Sequence, residues 1–170
     1  MELLIPGLIL VALMIWASTK IKKSAAAAYA EETFTADRFT IEKPEGFIIP
    51  VNEDSPYVFT ARTKEYETIG RESIPQATAS VTIESDGFES VCRAIRSRVE
   101  KVVDEDVHLE GSRVCVINAD ESENNVTYLG IYKILELDDR ALVLHARILP
   151  EQSEELTRKI DAMVRSFSAN

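Results

Sequence analysis

Residues that usually carry chemistry are scarce in this chain. Its 170 residues include two cysteines, two histidines and one tryptophan. Two cysteines exclude a disulfide scaffold, and two histidines cannot build a histidine-rich metal site. Six glycines and six prolines exclude a collagenous or low-complexity chain. Basic residues are outnumbered, 19 against 29 acidic, for a net charge of −10. The acidity is diffuse and leaves no basic stripe for a phosphate backbone, so no nucleic-acid partner is expected. No glycine loop of the phosphate-cradling kind, no nucleophile elbow and no zinc helix occurs.

What the chain has instead is an apolar N-terminus. Residues 3–19 carry no charge and are mostly aliphatic. As a helix they rise about 25 Å, slightly short of the roughly 30 Å hydrocarbon core. Pro6 falls in the first turn, where a missing N–H costs nothing. Trp16 sits near one end, where an indole favours the membrane interface, and Lys20, Lys22 and Lys23 follow and can snorkel to headgroups. The expectation is a single transmembrane helix with a basic flank, residues 1–23, in contact with the lipid bilayer through residues 3–19. A cleavable signal peptide normally carries its positive charge before the apolar stretch; here only Met1 and Glu2 precede it. A buried core helix normally shows a polar face, and this stretch has none. The lysines place the C-terminal domain in the cytoplasm by the positive-inside rule, with the periplasm or a lumen as the alternative.

Residues 24–36 are alanine-rich and are expected to form a stalk, partly helical. Without residues 1–23, which hold three Lys and one Glu, 16 basic and 28 acidic side chains remain, net −12. An anionic lipid surface would repel such a domain.

Residues 37–170 read as one α+β domain. Period-two alternation marks strands at 38–42 and 77–84; further strands are read at 47–51, an edge or irregular one because of Pro50, and at 57–62, 113–119, 126–137 and 141–149. Residues 107–109 add a short edge strand, and 64–76 reads as a long loop. Phe88, Val91, Cys92, Ile95, Val99 and Val102 fall on one helical stripe, and Leu156, Ile160, Met163, Val164 and Phe167 on another. The expected fold is α+β: a mostly antiparallel sheet of about seven strands with two amphipathic helices packed on it.

Three local features carry a resemblance. The run Phe39-Thr40-Ile41-Glu42-Lys43-Pro44-Glu45-Gly46-Phe47 is similar to the opening of the PsbP-like and DcrB-like α/β/α sandwich families. The helix beginning after Gly87 lies where those families place their first long helix. The closing run Ile160-Asp161-Ala162-Met163-Val164-Arg165-Ser166-Phe167 resembles their final helix. The resemblance covers about residues 37–168. It implies a non-enzymatic accessory or binding domain, since relatives of that fold assist photosystem II, sit in bacterial envelopes as lipoproteins, or bind small GTPases. This chain departs from them in its anchor: it has a hydrophobic helix and no lipobox cysteine near the N-terminus.

Candidate chemistry is sparse. Cys92 and Cys115 both fall in apolar patterns and read as small buried hydrophobes, with a disulfide between them open if the domain is exported. His108 and His145 lie on separate strands, and metal binding there would need carboxylates brought in by the fold. Residues 120–125 imitate the start of an EF-hand loop, but Asn125 stands where glycine is required and Ile131 where glutamate is. No catalytic, cofactor or metal residues are assigned. The expectation is a non-catalytic accessory subunit whose partners are the other subunits of a membrane protein complex. A membrane-tethered ligand-binding or sensor module is the alternative.

Overall fold

The computed structural model describes residues 4–50, 55–66, 74–150 and 154–170, with side chains in the first helix from residue 13 onward. The chain opens with helix α1, Leu4–Ala28, and then enters an α+β domain. Seven antiparallel strands form the main sheet. In spatial order they are β3 (Phe47–Ile48), β4 (Phe59–Thr63), β7 (Ala77–Glu84), β11 (Arg140–Ile148), β10 (Val126–Leu137), β9 (Ser112–Glu123) and β8 (Lys101–Glu110). A small sheet joins β1 (Glu32–Thr35), β2 (Phe39–Lys43) and β12 (Ser168–Ala169). A two-residue ladder joins β5 (Glu65–Tyr66) to β6 (Ile74–Pro75).

Alternation splits the main sheet into two faces. On one face Leu142, Leu144, Ala146 and Ile148 of β11 meet Val81 and Ala79 of β7 and Phe59 and Ala61 of β4. Helix α3 (Glu154–Ser166) covers that face through Ile160, Met163 and Val164, together with Phe39 and Ile41 of the small sheet. On the other face Cys115 and Ile117 of β9, Tyr132 and Ile134 of β10, and Val143 of β11 form a second core. Helix α2 (Phe88–Arg98) packs there through Phe88, Val91, Cys92 and Ile95. This is the expected α+β class, with seven antiparallel strands and amphipathic helices on both faces.

Turn chemistry fixes the meander. Asn124 and Asn125, at φ 52° and 62°, close the β9–β10 hairpin in the left-handed geometry that two-residue hairpins favour. Asp138 at φ 49° opens the turn from β10 to β11.

Several expected boundaries differ. Helix α2 ends at Arg98, where Val99 turns extended at ψ 151°. Val102 therefore belongs to β8, opposite Ala119. The β-branched Val99, Val102 and Val103 favour strand once the helix has buried its four apolar residues. Strand β8 runs ten residues where only 107–109 were anticipated. Of the segment 24–36, 24–28 lies in α1 and 32–35 forms β1, registered on β2. Part of the expected loop, 67–73, lies outside the described residues.

The anticipated spanning segment, 3–19, lies in large part outside the residues whose side chains are described. Among the described residues no helix is long and apolar enough to cross a membrane.

Candidate functional site

Helix α2 covers only part of its face of the sheet. Beyond its last turn the floor turns polar, carrying Thr60 of β4, Ser80 of β7, and His145 and Arg147 of β11. Arg98, Val99 and Glu100, at the end of α2, form one wall. The result is an open cleft of about 700 Å³.

At its centre lies Glu121 of β9, with a side chain 13% exposed. It reaches across β10 to His145 of β11, whose Nε2 lies 3.1 Å from each carboxylate oxygen. A carboxylate only accepts, so Nε2 carries the proton. The Tyr132 hydroxyl donates to the same carboxylate, and its ring stacks on His145 with centroids 4.2 Å apart and planes within 5°. Arg98 Nη2 donates to the Tyr132 hydroxyl at 3.4 Å. Gly130 permits this reach, because a Cβ there would lie 2.4 Å from Glu121 Oε1. Burial is the strongest single influence on the Glu121 carboxyl and pushes it up. The bonds from His145 and Tyr132 and the nearby cations more than offset it, so Glu121 lies below the ordinary carboxylate range. Burial, then the Glu121 carboxylate, raises the Tyr132 phenol above its usual value.

The cleft holds a general-base pair in form, His145 oriented by Glu121. Among the described residues no hydroxyl or thiol nucleophile is hydrogen-bonded to His145. The Thr60 hydroxyl oxygen is buried at the cleft floor, without a hydrogen-bond partner among the described residues. That floor can accept a polar ligand.

His108 lies on β8, with Nδ1 2.7 Å from Asp106 and Nε2 3.0 Å from Glu110. Glu110 also pairs with the buried Lys133 Nζ at 3.2 Å. The two histidines thus belong to separate clusters. Among the described residues no group of three or more potential ligands could hold a metal ion.

Cys92 and Cys115 are both buried and both free. They come together in the second core from α2 and β9. The neighbouring Cys92 thiol, then burial, pushes the Cys115 thiol well above its ordinary value. The Arg96–Glu105 ion pair lies over them, with Cys115 Sγ 3.5 Å from Glu105 Oε1.

At the other end of the molecule, Trp16 is exposed and carries Lys20 Nζ 5.2 Å from its ring centroid. Lys22 and Lys23 continue along the exposed last turns of α1.

Sequence reasoning placed His145 on a strand but missed its partner. Tyr128, Gly130 and Tyr132 share a face by alternation, and a glycine inside a strand signals close approach of another group. That signal was present; Glu121 as the approaching group required the fold.

No protein-family model matches the chain, and no curated protein matches it in sequence. Solved structures do match it in shape. Cyanobacterial PsbP (CyanoP) from Synechocystis sp. PCC 6803 aligns with TM-score 0.55 at 12% identity, over 84% of this chain and 94% of CyanoP. A point mutant of the protein Mog1 aligns with TM-score 0.54 at 14% identity, over 82% and 95%. LpqN of Mycobacterium tuberculosis, described as involved in cell envelope biogenesis, aligns with TM-score 0.54 at 12% identity, over 83% and 91%. A Bacteroides thetaiotaomicron protein aligns with TM-score 0.49 at 9% identity over 78% of this chain, which spans 45% of that protein's length. The chain has a PsbP/Mog1-like fold.

Proposed function

We propose that the chain is a non-catalytic accessory subunit of a larger membrane protein complex. One transmembrane helix over residues 3–19 anchors it, and the α+β domain caps one face of the complex. One observation carries this reading. Leu13, Met14, Ile15 and Trp16 are 57%, 66%, 63% and 63% exposed, in four consecutive positions of α1. Four consecutive helical residues point in all directions around the axis, so no single packed face hides them. A helix apolar all round needs lipid or other helices about it. Trp16, Lys20, Lys22 and Lys23 would then lie at the interface, with the domain on the cytoplasmic side. A gentle-detergent pull-down from native membranes, run beside the chain lacking residues 1–23, tests it. A stoichiometric complex that is lost on truncation supports the reading. An intact chain that comes out alone overturns it.

The polar cleft favours a second reading, a tethered ligand-binding module. Its buried Thr60 hydroxyl, unpartnered among the described residues, and the Glu121–His145–Tyr132 cluster suit a small polar ligand. A thermal-shift panel of sugars and amino acids on the full chain in detergent checks it. A shift that Tyr132→Phe and Glu121→Gln both abolish supports ligand binding; no shift with any compound overturns it.

A further inference from the structure

The main sheet ends very differently on its two sides. At one side the last strand, β3, has two residues. At the other, β8 has ten, and among the described residues no strand pairs with its outer side. In an antiparallel edge strand every second residue turns both its N–H and its C=O outward, unpaired. Proteins commonly blunt such an edge by shortening it, by a bulge, or by charge. Here the register shift between Val102 and Asp104 marks a bulge, and it leaves 104–110 as a regular, open stretch. Seven residues of strand span about 23 Å.

The side chains along that stretch are of two kinds. Val107 and Leu109 point to the α2 side and are 51% and 77% exposed, and Val103 at the bulge is 58% exposed; Glu105, on the same side, is taken up by its ion pair with Arg96. Asp104, Asp106 and Glu110 point to the opposite side, with His108 among them. Lys133 and His108 engage Glu110, and His108 engages one oxygen of Asp106. Asp104 is exposed. The edge therefore joins three features: open backbone groups, large aliphatic side chains in water, and a row of acids.

We propose that 104–110 is a docking edge for an extended, basic segment of a partner protein, which adds to the main sheet as an eighth strand. The charge row selects the occupant. A second copy of this chain pairing edge to edge would set Asp104 and Asp106 against another acidic row, on a protein already at net −10; like charges opposed across strands destabilise pairing. A segment alternating lysine or arginine with aliphatic residues satisfies both sides at once. Its basic residues meet Asp104, Asp106 and Glu110, its aliphatic residues cover Val107 and Leu109, and its backbone completes the ladder. The inference rests on the accessory-subunit reading and names the chemistry of the partner.

The test uses the full chain in detergent micelles and three seven-residue peptides. One alternates lysine and valine, one alternates glutamate and valine, and one is the basic peptide with a central proline. The basic peptide is expected to bind, to slow amide exchange at 104–110, and to lose affinity with added salt. The acidic and proline peptides are expected to bind at least tenfold more weakly. The double variant Asp104→Lys/Asp106→Lys is expected to lose at least tenfold for the basic peptide, while Glu154→Lys/Glu155→Lys, on α3, stays within twofold. Equal binding of all three peptides overturns the proposal. So does equal impairment by the two double variants, which would mean diffuse charge attraction. So does a free chain that is dimeric with 104–110 already protected. If the Asp104 and Asp106 variant fails to fold, the peptide comparison on the unaltered chain still decides. The native pull-down separates the two readings. A complex that forms while the basic peptide fails to bind removes the edge and leaves the subunit; no complex at all removes the subunit.

Discussion

Glu121 and Gly130 lie on neighbouring strands and act as one feature. The missing Cβ at position 130 leaves the space that the Glu121 carboxylate crosses to reach His145 and Tyr132. Replacing glycine by alanine in a strand ordinarily stabilises by about 0.5–1 kcal/mol through lost chain entropy. Here the new methyl would displace a carboxylate held by two donors, and bonds to a charged group contribute roughly 1.5–3 kcal/mol. Gly130→Ala is therefore expected to destabilise by about 1–2 kcal/mol, read from the urea midpoint. In a Glu121→Ala background the same change should cost nothing or stabilise, since the two residues couple. His108 provides a pH-dependent counterpart. Its bond to Glu110 and then that to Asp106 raise its pKa above the ordinary 6.5. A raised folded value means that its stabilising effect is complete below 6.5 and lost as pH rises through the folded value. The His108 ring protons should titrate above 6.5 in NMR, and Glu110→Gln should bring the midpoint back down toward it.

Single elements owe their boundaries to a few contacts. Lys43 of β2 is buried, yet its ammonium has three carbonyl partners: Phe47 O at 3.1 Å, Ala28 O at 3.4 Å and Ala30 O. Ala28 is the last residue of α1, so the cation sits where helix carbonyls lack partners and the dipole is negative. The Gly46 N–H donates to Tyr29 O at 2.8 Å beside it. This joint ties the first helix to the domain. Lys43→Met keeps most of the stem and removes the charge. Amides of 29–35 are then expected to lose at least tenfold in exchange protection, while those of β10 and β11 keep theirs; loss across all strands would contradict the joint. Strand β8 shows why an edge element evades sequence reading. Solvent reaches both its faces, so its run of acids breaks the alternation that marked the interior strands. The end of α2 was hidden for a related reason, because Val102 suits the helical stripe and the strand equally well.

Across the whole molecule, the first helix and the domain separate at a definite point. Ala28 and Ala30, which Lys43 requires, lie beyond residue 23, and so does β1. Phe34 of β1 packs at a tilt against Phe39 and Phe59, with centroids 5.9 and 5.1 Å apart. A chain beginning at residue 24 is expected to unfold cooperatively without detergent. A chain beginning at residue 36 loses β1 and Phe34, and removal of a packed phenylalanine costs about 3 kcal/mol or more. Urea denaturation of the two truncations measures the gap. Equal stability would mean that β1 contributes nothing to the core.

The residue order by itself determined the α+β class, the two amphipathic helices, the interior strands of the meander and the uncharged N-terminal stretch. Each rests on local periodicity or a run of one residue type, which physics imposes on neighbouring residues whatever the rest of the chain does. The closing run at Ile160–Phe167 and the Pro44-Glu45-Gly46 turn were legible on the same ground. Only the tertiary structure decided that Glu121 meets His145 and Tyr132, that Cys92 faces Cys115, and that Lys43 holds the end of the first helix. It also decided that the acidic run after Val103 is the open margin of the sheet. Those contacts join residues 11 to 24 positions apart in sequence, and local spacing carries no information about which strand lies beside which. The order of strands across the sheet settles that, because it is chosen by burial of the two cores together.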